Sequence, residues 1–174
     1  MILTTESRMQ EAALVRAAQN GDRAALGVLY QQYRRLVHGI LLAYVSPPQA
    51  EDLMQDVFVK VMERLPGLRE PAAFPGWLMA IARRTAIDYR RGTKPMAELR
   101  EYRAEGAWPD GEAFAVLAMI QRLPESYRET LILRLVEGMT GPEIAARTGL
   151  MPESVRVNLC RGTKMLRALL KSED

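Results

Sequence analysis

Apolar residues recur along this chain at intervals of three and four, and no run shows the period-two alternation of a half-buried strand. The pattern predicts a first helix over residues 6–19, stopped by Gly21, with Asp22 placed to cap the next one. Ala25, Leu26, Leu29, Tyr30, Tyr33, Leu36, Val37, Ile40, Leu41 and Tyr44 then fall on one stripe, the strongest helical signal in the chain. Ser46-Pro47-Pro48 ends that helix and opens a third, since proline is favoured in a first turn. The third helix presents Ala50, Leu53, Met54, Val57, Phe58 and Val61 to a core and stops at Leu65-Pro66-Gly67. After a loop over residues 67–74, a fourth helix over residues 75–91 carries Trp77, Leu78, Ile81, Ala82, Thr85 and Tyr89 on one face. Arg83, Arg84, Arg90 and Arg91 stand off that face.

Periodicity lapses over residues 96–113, which hold Pro109 and Gly111 and are predicted to be a flexible linker, with a transient helix over 96–103. It resumes near Phe114. Leu123-Pro124-Glu125 opens a helix whose apolar face is Tyr127, Leu131, Leu135 and Val136, stopped by Gly138. Thr140-Gly141-Pro142-Glu143 has the form of a capping box and starts a short helix over 142–148, with Gly149 as its stop. A last helix covers residues 152–170. The predicted fold is therefore all-α: two small helical domains, residues 1–95 and 114–174, joined by the linker 96–113.

Short helix, glycine turn and longer helix make a helix-turn-helix. Ile144, Ala145, Gly149, Leu150, Val155 and Leu159 supply its packing. Its second helix offers Glu153, Ser154, Arg156, Asn158 and Arg161 outward, side chains suited to base edges, with Lys164, Arg167 and Lys171 suited to phosphates. A plain helical hairpin with a solvated basic face would carry the same charges.

Composition narrows the field. The chain has 174 residues, 48% of them apolar and 26% charged, a globular balance, and its net charge of +3 is small. The distribution says more: residues 21–95 hold eleven basic and seven acidic side chains, and residues 120–171 nine and five, whereas residues 96–119 hold two and five. Cys160 and His38 are the sole cysteine and histidine, so no internal disulfide, Cys/His zinc site or Ser-His-Asp triad is expected, and no cofactor is implied. Cys160 is expected to be a buried filler, with a redox role as the alternative. Residues 1–10 lack the apolar core of a secretory signal and the apolar stretch 37–45 is too short to span a bilayer, so a soluble, cytoplasmic protein without membrane insertion is expected.

Six stretches then resemble a known family in its own order. Ala50-Glu-Asp-Leu-Met-Gln-Asp-Val-Phe58 and Phe74-Pro-Gly-Trp-Leu-Met-Ala-Ile-Ala-Arg-Arg84, preceded by Gly21-Asp-Arg-Ala-Ala-Leu26, resemble region 2 of extracytoplasmic-function sigma factors of the sigma-70 family. Leu123-Pro-Glu-Ser-Tyr-Arg-Glu129, Glu137-Gly-Met-Thr-Gly-Pro-Glu-Ile-Ala145 and Gly149-Leu-Met-Pro-Glu-Ser-Val-Arg156 resemble region 4. The resemblance implies a protein that directs core RNA polymerase to promoters, docking on its β′ coiled coil and β flap, binding promoter DNA and answering to an anti-sigma factor. Glu51, Asp52, Gln55 and Asp56 would form the polymerase-binding face. Arg69, Phe74, Trp77, Arg83, Arg84 and Arg91 would meet the −10 element, and Glu153, Ser154, Arg156, Asn158, Arg161 and Lys164 the −35 element.

Each assignment has a plainer counterpart. The acidic face also suits a helix start favoured by the macrodipole, Trp77 at its spacing suits a core, and Asp88 suits a pair with an arginine one turn away. Met151 stands where the family carries a Ser or Thr cap, and Gly162 sits inside a helix at a cost of about 1 kcal/mol relative to alanine. Val157, Asn158, Thr163 and Met165 also fall where family members commonly carry polar or basic groups, and these departures together point to a weaker phosphate grip by the second domain or an unusual −35 sequence. A stand-alone helix-turn-helix regulator and a sigma mimic that binds an anti-sigma protein without DNA remain alternatives.

Overall fold

A computed structural model describes residues 5–92 and 111–173, mostly helix joined by short turns and loops, with no strand among them. The linker expected at 96–113, with its transient helix over 96–103, lies outside the described residues except for its last three positions. The first domain comprises α1 (Thr5–Gln19), α2 (Arg23–Leu42), α3 (Pro47–Arg64) and α4 (Phe74–Gly92), with 3₁₀ turns at Leu65–Gly67 and Pro71–Ala73. The second comprises α5 (Gly111–Gln121), α6 (Glu125–Leu135), α7 (Gly141–Thr148) and α8 (Pro152–Glu173).

Local chemistry sets the boundaries. Gly21 takes φ +89°, a conformation that needs glycine, and lets α1 stop. Asp22 then caps α2, its Oδ1 accepting from the amides of Ala24 at 2.9 Å and Ala25 at 3.1 Å. At the start of α3, Gln49 Oε1 accepts from the Ser46 amide at 3.1 Å. The α3–α4 loop is fastened to α1 by Gln19, whose Nε2 donates to the carbonyls of Leu65 at 3.0 Å and Leu68 at 2.7 Å.

In the first core the fully buried rings of Tyr33 and Phe74 meet edge to face at 5.3 Å. Phe74, expected at the DNA surface, is 1% exposed and belongs to this core instead. Its place at the first turn of α4 aims it at α2, so it anchors the helix and does not meet solvent.

The two domains share one continuous core. Helix α6 lies between α2 on one side and α8 on the other. Residues Glu129–Leu133 are accordingly all buried, while Leu135, expected on the apolar face, is 56% exposed, and Val136 is exposed as well. The single-stripe expectation for α6 fails because a helix covered on two sides has no single buried stripe.

Two glycines make room for that sandwich. A Cβ on Gly162 in α8 would meet Leu131 Cδ1 at 3.0 Å and Tyr127 Cβ at 3.2 Å, so the helix-interior glycine permits close approach within the second domain. A Cβ on Gly39 in α2 would stand 2.7 Å from Leu133 Cδ2 and 3.0 Å from Glu137 Cγ, across the domain boundary. The carbonyls at the end of α2 are met from across the boundary too: Gln121 Nε2 donates to Leu42 O at 2.8 Å and Val45 O at 2.9 Å.

Replacing Gly162 by valine is expected to destabilise the protein by about 1–3 kcal/mol through overpacking against Leu131. Urea unfolding followed by circular dichroism checks this; an unchanged midpoint would show that α8 and α6 do not approach so closely.

Candidate nucleic-acid interface

The helix-turn-helix is built as its residues dictate. The Thr140 amide donates to Glu143 Oε2 at 2.7 Å and the Glu143 amide to Thr140 Oγ1 at 3.3 Å, the reciprocal capping box. These bonds from Thr140 hold the Glu143 carboxyl below the usual carboxylate range. Gly149, at φ +74°, turns the chain into α8. Ile144, Ala145 and Val155 are buried between the two helices and Leu159 is half-buried.

Leu150, expected in that packing, is exposed, and Met151 beside it is 65% exposed. The αL turn carries both away from the Ile144–Val155 contact, so the turn presents an apolar tip just before the recognition helix. Cys160, expected to be buried, is exposed on α8 as well.

Glu153, Ser154, Arg156, Arg161 and Lys164 are all exposed on α8, as a major-groove helix requires. Asn158 departs from them: it is half-buried, and its Nδ2 reaches Thr130 Oγ1 on α6 at 3.5 Å. Arg167 and Lys171 extend the exposed basic face toward the C-terminal end of α8.

Along α4, Arg84 and Arg91 are exposed, as is Arg69 in the preceding loop. Arg84 lies 3.7 Å from Asp88 one turn on, an exposed pair that constrains it little. Trp77 is half-buried, its ring centroid 5.9 Å from that of Phe74.

Arg83 is held differently. Its Nε and Nη2 each donate to the Glu129 carboxylate of α6 at 2.7 Å, a bidentate pair across the domain boundary. That hydrogen bonding raises the Arg83 pKa, so the guanidinium is firmly charged. Tyr44 donates to Glu129 Oε1 at 3.0 Å, and the Arg128 guanidinium lies 4.5 Å over the Tyr44 ring. Burial and the Glu129 charge push the Tyr44 hydroxyl above the ordinary tyrosine range, so it stays a donor. A 46-residue separation hid the Arg83–Glu129 pair from periodicity, which reports only neighbours on one helix.

The acidic quartet of α3 is intact: Glu51, Asp52, Gln55 and Asp56 are all exposed on the side away from Leu53 and Val57. Val59 and Met62, one and two turns further, are exposed on the same side and continue it as apolar surface. Helical spacing from Gln55 was the available signal for them. Among the described residues no group of three or more His, Cys, Asp or Glu could hold a metal ion, and no helix is long and apolar enough to cross a membrane.

Known proteins resemble both domains. Residues 29–95 match the Sigma-70 region 2 family and residues 113–166 match the Sigma-70, region 4 family. Over 156 residues the chain is 32% identical to the RNA polymerase sigma-H factor of Pseudomonas aeruginosa, covering 78% of this chain and 81% of that one. Over 178 residues it is 29% identical to the ECF RNA polymerase sigma-E factor of Haemophilus influenzae, covering 91% and 94% of the two chains. The solved structure of CnrH in complex with the cytosolic domain of CnrY superposes with a TM-score of 0.62 at 25% identity, over 94% of this chain and 99% of that one.

The capping box predicts a pH-dependent contribution. A carboxyl whose pKa is lowered by folding stabilises the native state above its unfolded pKa of about 4.3 and loses that contribution as pH falls through the folded value. Thr140→Ala is therefore expected to cost about 1 kcal/mol at neutral pH and less below pH ~4. Thermal unfolding across this range checks it; a cost independent of pH would detach Glu143 from the box.

Proposed function

The chain belongs to the extracytoplasmic-function group of the sigma-70 family, and from that premise we propose which of its surfaces perform each part of the task. As an RNA polymerase sigma factor it directs core polymerase to −10 and −35 promoter elements and assists promoter opening. The observation that carries this is the match to both family regions, in order, along one chain. A stand-alone regulator needs no region 2, and the relatives named above are sigma factors, so neither alternative is favoured. The family consists of non-catalytic transcription factors, and we assign this chain no reaction and a cytoplasmic site of action.

The exposed quartet Glu51, Asp52, Gln55 and Asp56 is assigned to polymerase docking on the β′ coiled coil, extended by Val59 and Met62. Carboxylates steer the encounter and fix register, and the apolar extension supplies area removed from water. The −10 element is assigned to Arg69, Arg84 and Arg91, with the half-buried Trp77 for base stacking and Arg83, which Glu129 holds in this structure. Phe74 supports this surface from below and is not assigned a contact. The −35 element is assigned to Glu153, Ser154, Arg156, Arg161 and Lys164, with Asn158 at the edge of the footprint. The domain boundaries near 95 and 114 and an anti-sigma partner belong to the same proposal.

Run-off transcription with purified bacterial core polymerase on a pool of genomic upstream fragments tests the assignment. Initiation that depends on this protein is expected, and core binding without initiation on an adequate pool would favour the sigma mimic. Substituting Glu51, Asp52 and Asp56 together by alanine is expected to weaken core binding; unchanged affinity removes the docking face. Arg156→Ala is expected to cost about 1–3 kcal/mol of −35 discrimination if the guanidinium reads a base edge. A loss uniform across promoter variants would make it a phosphate contact.

A further inference from the structure

We propose that the groove between α7 and α8 is a binding site for a small amphipathic carboxylate, a free fatty acid whose chain lies against the helix-turn-helix and whose head is held by Arg8 and Arg156. Occupation takes Arg156 away from the −35 element. That consequence rests on the sigma-factor reading; the binding itself does not.

The groove has a volume of about 470 Å³, within the ordinary range of small-molecule sites. It is lined by Pro142, Ala145 and Ala146 of α7 and by Pro152, Val155 and Leu159 of α8. None of these side chains carries a hydrogen-bonding atom, so whatever enters between them must be apolar. Small residues on α7 leave the depth, and the left-handed turn at Gly149 sets Leu150 and Met151 beside it. Both are exposed, at 40% and 65%. Apolar surface gathered in one concave place marks a binding site, where the same residues scattered singly would not.

Charge in the lining is confined to two residues. Arg8 of α1 and Arg156 of α8 complete it, both exposed, and no carboxylate belongs to it. Arg35, Arg83 and Arg147 also reach across the domain boundary, and each lies within 4.0 Å of a carboxylate there. Arg8 and Arg156, by contrast, have neither hydrogen bond nor ion pair among the described residues.

Two unpaired guanidiniums beside an apolar groove select an anion joined to a hydrocarbon. A neutral lipid would leave the charges unanswered, and a nucleotide would leave the apolar lining unanswered. A two-chain lipid would not fit a groove of this volume. A single acyl chain with a carboxylate head answers both demands, since the planar arginine fork matches a carboxylate. The same fork is what reads a guanine edge. An Arg156 paired with the ligand is therefore withdrawn from DNA, and a ligand that binds only the DNA-free form lowers promoter affinity.

Nuclear magnetic resonance of the full chain, labelled at its methionine methyls and titrated with decanoate below its micelle concentration, tests this. Met151 lines the groove, whereas Met79 is buried in the first core and serves as the internal reference. A saturable shift of Met151 with Met79 unmoved is expected. Arg8→Ala is expected to weaken binding about tenfold by removing one charge-assisted contact. Ala146→Leu is expected to abolish binding by filling the groove, both variants keeping the helix content of wild type. Decanol, which keeps the chain, and acetate, which keeps the head, are expected to bind at least roughly tenfold more weakly. A non-saturable shift of all methionines, decanol binding as tightly as decanoate, or either variant binding as wild type does overturns the proposal. Run-off transcription with and without decanoate separates the premises. Initiation that decanoate suppresses in wild type, and suppresses less in Arg8→Ala, supports competition at Arg156. Initiation unmoved by saturating decanoate keeps the sigma assignment and overturns the competition. Saturable binding with no initiation in either condition keeps the site and overturns the sigma assignment.

Discussion

Helix α6 is clamped on opposite sides at once, and the rest of the structure is arranged around that constraint. Leu131 and Leu133 sit two residues apart, about 200° around a helix of 3.6 residues per turn, so they point in opposing directions. Leu131 nests where Gly162 of α8 has no side chain, and Leu133 where Gly39 of α2 has none. The helix therefore belongs as much to the first domain's surface as to the second domain's core.

The forces at this junction divide by kind. Leu131, Ile132 and Leu133 are essentially fully buried, and each contributes roughly 1.5–3 kcal/mol by leaving water. The Arg83–Glu129 pair adds less than its short distances suggest, because desolvating both charges cancels much of their attraction. Its effect is on register: a planar two-point bond accepts one relative orientation of α4 and α6. Apolar area thus supplies the adhesion, the two glycines allow the close approach, and the ion pair selects the geometry.

How much of this was legible in the sequence depended on whether its cause was local. Asp22 as a cap, the Thr140–Glu143 box, the Gly21 and Gly149 turns and the α2 stripe follow from neighbours in sequence and are found where expected, save that Tyr30 at the edge of the stripe is exposed. The exposed basic positions of α8 and the acidic quartet of α3 were legible for the same reason, since one covered face leaves the other free. Leu135 and Val136 misled because a rule of one stripe per helix breaks down when two domains cover one helix. Leu150 and Cys160 are exposed because an apolar side chain in a sharp turn, or at the rim of a helix face, need not find a partner. Phe74 and Arg83 belong to motifs that speak of DNA, yet one is spent on the Tyr33 ring and the other on a carboxylate 46 residues away.

Gly39 carries a consequence for how this protein can be recombined. Within its own domain the position asks for nothing that alanine or leucine would not supply better; its smallness answers to a leucine in the other half of the chain. The two halves are therefore not interchangeable parts. A hybrid that joins this first domain to a second domain without the matching leucine inherits a hollow without its knob, and one that joins this second domain to a first domain without the glycine meets a knob with no hollow. Such chimaeras would differ from their parents in how readily the halves part, even with every DNA-reading side chain left in place.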